Sequence, residues 1–298
     1  MQPFPEASQI ALPPRLAAEL LAAAERLPAY ENHAFYSFAL QAELRERVRA
    51  EVPEGFDWLT GEIRSRLARE PYAALVRGLL CDEGNRLFVA LNRDFGDLVA
   101  RPYEKPRAQL VHYIQPAQDI PAAGGGRESE RLHTDSADWP EPVALVSMVC
   151  VRPDRHGGGR SRLLEIGALR EEAEAALGAD ALEILGRPVP WRLAPYQGGG
   201  VAWSPVLTRS TLRWRRYTID AALTDPGVSL DAETTGALDA FGTIVDGTER
   251  TFDFLLETGD FLIIDNRRTV HGRTEIGGDP VSCERLMIRS WIRPPAAS

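Results

Sequence analysis

Apolar residues recur every three to four positions over residues 16–27, 41–50 and 58–69, the period of an amphipathic helix. Pro13-Pro14 precedes the first of these, where a missing amide proton costs a helix nothing. Past Arg107 the pattern changes. Runs at 109–114, 143–151, 189–193, 212–219, 251–256, 261–264 and 285–291 are rich in Val, Ile, Leu, Tyr and Trp and are separated by Gly, Pro and Asp, which predicts short strands. Two helices are predicted to interrupt them, at 166–177 and 231–245. The second opens on Asp231 as N-cap, with Glu233 near the positive end of the helix dipole. Helices first and then many short strands imply an α+β fold with a mainly β core, a sandwich or jelly-roll barrel with helices packed outside. No internal repeat or linker divides the sequence. One domain over 1–298 is therefore expected, with 1–100 as a helical N-terminal part and 105–293 as the core. Two glycine-rich stretches, 117–131 and 195–200, read as surface loops.

Composition adds exclusions. The chain of 298 residues is 44% hydrophobic and 26% charged, as an ordinary globular protein is. Its net charge of −9 argues against nucleic-acid and anionic-membrane partners, both of which reward a basic surface. Residues 1–12 lack the basic and apolar regions of a secretory signal, and no apolar run is long enough to span a bilayer. Cys81, Cys150 and Cys283 form no CxxC pair, so neither a zinc ribbon nor a disulfide framework is supported. Reduced thiols in the cytoplasm are the simpler expectation.

The candidate chemistry lies in Arg131-Leu132-His133-Thr134-Asp135. On an extended segment, residues two apart point to one side, so His133 and Asp135 can grip one metal. A third ligand must come from elsewhere, and only five histidines exist: His33, His112, His133, His156 and His271. His271 follows an apolar strand and a turn. Two histidines and one carboxylate on one face leave three coordination positions open, the arrangement of non-haem Fe(II) enzymes that activate oxygen. Zinc would accept the same donors, but no HExxH motif supplies the general base of a zinc hydrolase.

The segment Gly259-Asp260-Phe261-Leu262-Ile263-Ile264-Asp265-Asn266-Arg267-Arg268-Thr269-Val270-His271-Gly272-Arg273 resembles the distal-histidine segment of clavaminate-synthase-like dioxygenases. This branch of the taurine dioxygenase superfamily includes hydroxylases of free arginine and asparagine. The His133-x-Asp135 pair and the trailing strand Arg285-Leu286-Met287-Ile288-Arg289 resemble the family too, so the likeness runs in order over about residues 105–293. It implies a double-stranded β-helix and an iron held by His133, Asp135 and His271. It further implies Fe(II), 2-oxoglutarate and O2 as cofactor and co-substrates, with oxidation of a C–H bond coupled to formation of succinate and CO2. A carboxylate at position 135 argues against halogenation, since halogenases leave that position empty.

A dicarboxylate is best met by a permanently charged, bidentate guanidinium. The resemblance gives that role toward 2-oxoglutarate to Arg285, and the substrate's carboxylate to Arg289. Gly158-Gly159-Arg160-Ser161 resembles a family turn whose hydroxyl helps bind 2-oxoglutarate, which implicates Ser161. Gln109, with His112 and Tyr113, is expected on a strand lining the substrate cavity, although His112 reads more simply as a core or satisfied histidine, and Trp139 is expected to shape the pocket. His156 reads as a surface residue. The stretch Arg213-Trp214-Arg215-Arg216-Tyr217 fits either a carboxylate-binding face or a solvated strand, the latter being simpler. The expected substrate is a free amino acid or derivative. The alternatives are another anionic small molecule such as a sulfonate, or a non-catalytic metal-binding β-barrel.

Overall fold

The computed structural model describes residues 2–100, 110–115, 128–277 and 284–293. In chain order the strands are β1 (Gln9–Ala11), β2 (Ala73–Arg77), β3 (Asp97–Val99), β4 (His112–Ile114), β5 (Glu130–His133), β6 (Leu145–Arg152), β7 (Ser161–Glu165), β8 (Pro188–Arg192), β9 (Val201–Pro205), β10 (Phe252–Phe254), β11 (Phe261–Asp265), β12 (Thr269–Arg273) and β13 (Leu286–Arg293). The helices are α1 (Pro14–Glu25), α2 (Phe38–Glu51), α3 (Pro53–Leu67), α4 (Arg86–Arg93), α5 (Ile166–Leu177), α6 (Ala179–Leu185), α7 (Arg216–Ala222) and α8 (Ala232–Gly247).

A larger sheet runs β1-β2-β11-β6-β13-β3, with β4 also paired to β13, and a smaller one runs β10-β7-β12-β5. Their apposition follows from alternation along the strands. On β11, Phe261 and Ile263 join a core shared with α1–α4, while Leu262 and Ile264 join a second core with Leu163 and Phe254 of the smaller sheet. A strand covered on both faces has no polar face, which is why residues 261–264 read as a continuous apolar run. A third core lies beyond the smaller sheet, where Leu164 and Val270 meet Leu169, Leu185, Trp191, Trp214 and Phe241. The predicted jelly roll with outer helices is therefore observed. Asp231 caps α8 by accepting from Thr234 N at 2.6 Å.

Three expectations need correction. The first hundred residues are not purely helical, because β1, β2 and β3 join the larger sheet. The β2 sequence Ala73-Ala74-Leu75-Val76 is buried throughout and shows no alternation that would have marked it as a strand. The run at 212–219 is not a strand: only Leu212 bridges, to Leu207, and α7 begins at Arg216. The helix there gains an i,i+4 pair between Arg216 and Asp220 at 2.7 Å. Finally, β9 was not anticipated; it forms a hairpin with β8, with Trp203 exposed on it.

Gly272 is where the smaller sheet can least tolerate a side chain, since an added Cβ would lie 2.5 Å from the Glu130 carbonyl oxygen on β5. Gly272→Ala is expected to destabilise the protein by roughly 1–3 kcal/mol through overpacking. Gly61→Ala, where nothing lies within 4 Å on α3, should instead be neutral or stabilising. Denaturant midpoints of the two variants check the contrast; equal midpoints would contradict it.

Candidate metal centre

Strands β5 and β12 pair antiparallel with His133 directly opposite His271, so both imidazoles emerge on the same face. The rings lie 4.7 Å apart. Asp135, just past the end of β5, turns back onto them: its Oδ1 lies 3.4 Å from His133 Nε2 and its Oδ2 3.8 Å from His271 Nε2. One donor atom from each of the three residues lies within 4.8 Å of the other two, compact enough to close on a single ion.

The donor chemistry fits a divalent metal. His133 Nδ1 lies 2.8 Å from the Arg131 carbonyl oxygen, which can only accept, so Nδ1 carries the proton and Nε2 the lone pair. That Nε2 is buried and makes no hydrogen bond. Burial first, then the charge of Arg215, hold the His133 imidazole below its ordinary pKa, and so neutral. For Asp135 burial acts against the charged form, but the Arg289 guanidinium leads the opposing contributions and the carboxylate stays well below its ordinary range.

Asp135 is held by residues from three directions. Its backbone amide donates to Asn266 Oδ1 at 2.7 Å, while Asn266 Nδ2 donates to the carbonyls of Asp135 (3.1 Å) and Val143 (2.9 Å). Trp291 Nε1 donates to Oδ2 at 2.8 Å, and Arg289 Nη1 donates to the same oxygen at 3.3 Å. These contacts orient the carboxylate before any metal arrives.

The β13 alternation places Arg285, Met287, Arg289 and Trp291 on one side, while Ile288 and Ile292 enter the core beneath α1–α4. Arg285 and Arg289 line a cleft together with Ser161, His271, Arg273, Glu130, Met148 and Ile114. Gly159 lies under Arg285: its φ is +62°, and a Cβ there would meet Arg285 Nε at 2.8 Å. The Gly158-Gly159 turn thus gives the guanidinium room to lie flat against backbone. In chemical terms the cleft offers three guanidinium groups and a hydroxyl beside the candidate ligands, a surface for a dianion.

Other expected residues fall elsewhere. Trp139 is buried edge-on to Trp291, with ring centroids 5.4 Å apart, and donates to Tyr196 Oη at 3.2 Å, so it backs the Asp135 support and does not line the cleft. His112 lies 3.4 Å from Arg289 Nη2 through its Nδ1. Tyr113 is partly exposed, and Gln109 lies outside the described residues. The sequence assigned no role to Asn266, Trp291 or Glu130, and favoured a solvated strand over a carboxylate-binding face for the stretch that holds Arg215. Trp291 was within reach, since its even offset from Arg285 and Arg289 puts it on their face. Nothing local to the sequence ties Arg215 to position 135.

The fold is a jelly roll of two apposed sheets, with His133, Asp135 and His271 gathered at one compact cluster. Residues 195–291 match the taurine catabolism dioxygenase TauD, TfdA family, a span that includes His271, Arg285 and Arg289 but not His133 or Asp135. The fold is similar to that of asparagine oxygenase in complex with Fe(II), 2S,3S-3-hydroxyasparagine and succinate. That likeness has a TM-score of 0.70 at 20% identity and covers 97% of this chain and 94% of that one. It is also similar to the non-haem iron oxygenase OrfP with Fe and α-ketoglutaric acid, with a TM-score of 0.73, 20% identity and coverage of 96% and 93%. OrfP with Fe, succinate and (3R,4R)-dihydroxy-L-Arg gives a TM-score of 0.73 at 20% identity, with coverage of 95% and 93%. The family resemblance read from the sequence is thereby borne out, and at this identity the structures establish the fold. No curated protein matches by sequence.

Because Trp291 holds Asp135 from outside the ligand set, Trp291→Phe should keep the fold and weaken metal binding by roughly 10- to 100-fold. Titration with Fe(II) or Co(II) checks this; unchanged metal affinity would show the indole to be incidental.

Proposed function

We propose that the chain is an Fe(II)- and 2-oxoglutarate-dependent oxygenase that oxidises an unactivated C–H bond of a small carboxylate-bearing molecule, most simply a free amino acid or derivative. One observation carries the reading. His133 and His271 on one sheet converge with Asp135, in the turn after β5, within 4.8 Å, and Arg285 and Arg289 line the cleft beside His271 from the other sheet. A metal-binding barrel without catalysis has no use for two buried guanidinium groups beside its ligands.

His133, Asp135 and His271 hold iron in this reading. Arg285 pairs with the distal carboxylate of 2-oxoglutarate, assisted by the Ser161 hydroxyl, and Arg289 takes the carboxylate of the substrate. Iron, when bound with 2-oxoglutarate, supplies oxygen activation and the oxidising power for C–H cleavage. The protein contributes orientation: charge-assisted contacts fix both carboxylates, and the burial of His133 and Asp135 keeps bulk water away from them. Asparagine oxygenase and OrfP, the latter in complexes with hydroxylated arginine, support an amino acid as substrate. The second reading, an oxygenase of a sulfonate or similar anion, is favoured by the taurine-dioxygenase match over 195–291. Stimulation of succinate formation by sulfonates and not by amino acids would select it.

The unit of function is one domain, since β2 of the N-terminal third pairs with β11 and β3 pairs with β13. Free thiols at Cys81 and Cys150 fit a reducing, cytoplasmic setting. Among the described residues no helix is long and apolar enough to cross a membrane. The acidic chain favours small-molecule partners over nucleic acid.

His133→Ala and Asp135→Ala are each expected to abolish Fe(II)-dependent succinate formation, and near-normal turnover in either would sink the ligand assignment. Arg285→Ala should raise the 2-oxoglutarate requirement by orders of magnitude, in line with a charge-assisted pair worth ~2–5 kcal/mol. An unchanged apparent affinity would move that role to Arg273 or Arg289.

A further inference from the structure

The segment Arg213-Trp214-Arg215 is fastened to the metal-bearing segment at several points. Thr134 N donates to the Trp214 carbonyl at 2.8 Å, and Trp214 N donates back to Thr134 Oγ1 at 3.0 Å. Arg213 stacks on Trp191 and donates through Nη2 to the carbonyls of Ala137 (2.6 Å) and Trp139 (2.8 Å). These bonds bracket Asp135, so the chain has little freedom at Arg215.

The Arg215 side chain is only 14% exposed, and its nearest carboxylates are Glu130 Oε1 at 3.9 Å and Asp135 Oδ1 at 4.0 Å. Its guanidinium lies 5.1 Å from the Tyr217 ring and, among the described residues, makes no side-chain hydrogen bond. Its five N–H donors border a cavity shared with His133, Trp214, Tyr217, Gly242 and Thr243. Other cations around that cavity are already matched. Arg216 sits between Asp220 (2.7 Å) and Asp239 (2.6 Å), and Arg131 faces Asp246 (3.0 Å).

Arg289 approaches Oδ2 of Asp135 and Arg215 faces Oδ1, so two cations flank one carboxylate. A divalent metal on Asp135 would draw that negative charge to itself and leave both guanidinium groups short of counter-charge. Arg289 and Arg215 border adjoining cavities, both of them lined by Glu130. We propose that Arg215 is a specificity-determining residue that receives a carboxylate at the side-chain end of the substrate. The substrate class is therefore the acidic amino acids, with the α-carboxylate on Arg289, the side-chain carboxylate on Arg215, and Glu130 between them facing the ammonium group. This deepens the reading of the site as an amino-acid oxygenase and rests on it.

The test is anaerobic calorimetry on the Fe(II) enzyme, titrated first with 2-oxoglutarate and then with aspartate, glutamate, 2-aminoadipate, asparagine, glutamine or arginine. One or more of the acids should bind roughly 10- to 100-fold tighter than its neutral amide, the range for one charge-assisted pair. Arg215→Gln should erase that preference while leaving 2-oxoglutarate affinity unchanged, a split that general damage to the fold would not produce. Tighter binding of amides or arginine by the wild type, or an intact acid preference in Arg215→Gln, would overturn the proposal alone. Failure of 2-oxoglutarate to bind the wild-type Fe(II) enzyme would remove the oxygenase reading beneath it.

Discussion

The site depends on how one buried carboxylate is held. Asp135 lies past the end of β5, where no strand partner fixes it, and burial opposes its charge. Its orientation comes from Asn266 on the backbone side and from Trp291 and Arg289 on the carboxylate side. Asn266 follows β11 and the other two lie on β13, both strands of the larger sheet, whereas His133 and His271 belong to the smaller one. The candidate metal centre is thus a joint between the two sheets, and the packing of the core between them sets its geometry.

That arrangement explains why the arginines lie where they do. An isolated cation buried beside a low-dielectric core would be costly. Arg289 is stabilised by Asp135, and Arg285 lies against the glycine turn at 158–159 in a cleft suited to a dianion. The proposed cycle exchanges partners without leaving a charge uncompensated: metal on Asp135, 2-oxoglutarate on Arg285, and substrate carboxylates on Arg289 and Arg215. Electrostatic preorganisation of this kind costs no rearrangement at the moment of reaction.

Much of this was legible in the sequence where a short-range rule applied. The apolar run at 261–264 and the even offset between Arg285 and Arg289 each report a local geometry, and the structure has it; His133 and Asp135 do converge, but through a turn after β5 and not along an extended strand. What escaped were relations between distant segments. Nothing in Arg213-Trp214-Arg215 announces that Thr134 fastens to it, so the run read as a strand and Arg215 as solvated. β2 was missed because burial on both faces erases alternation, and the edge-on contact of Trp139 with Trp291 joins residues 152 apart in the chain. Gly272 stands at a close approach to the backbone of β5, and a lone glycine in a sequence does not announce one.

The central claim is that this site couples oxidation of a small acid to decarboxylation of 2-oxoglutarate. Mass spectrometry of products formed under ¹⁸O-labelled dioxygen tests it most directly. The account predicts Fe(II)-dependent succinate carrying one labelled oxygen, formed together with an amino acid that has gained the other. Consumption of 2-oxoglutarate without label in succinate, or no succinate with any amino acid or sulfonate, would contradict it.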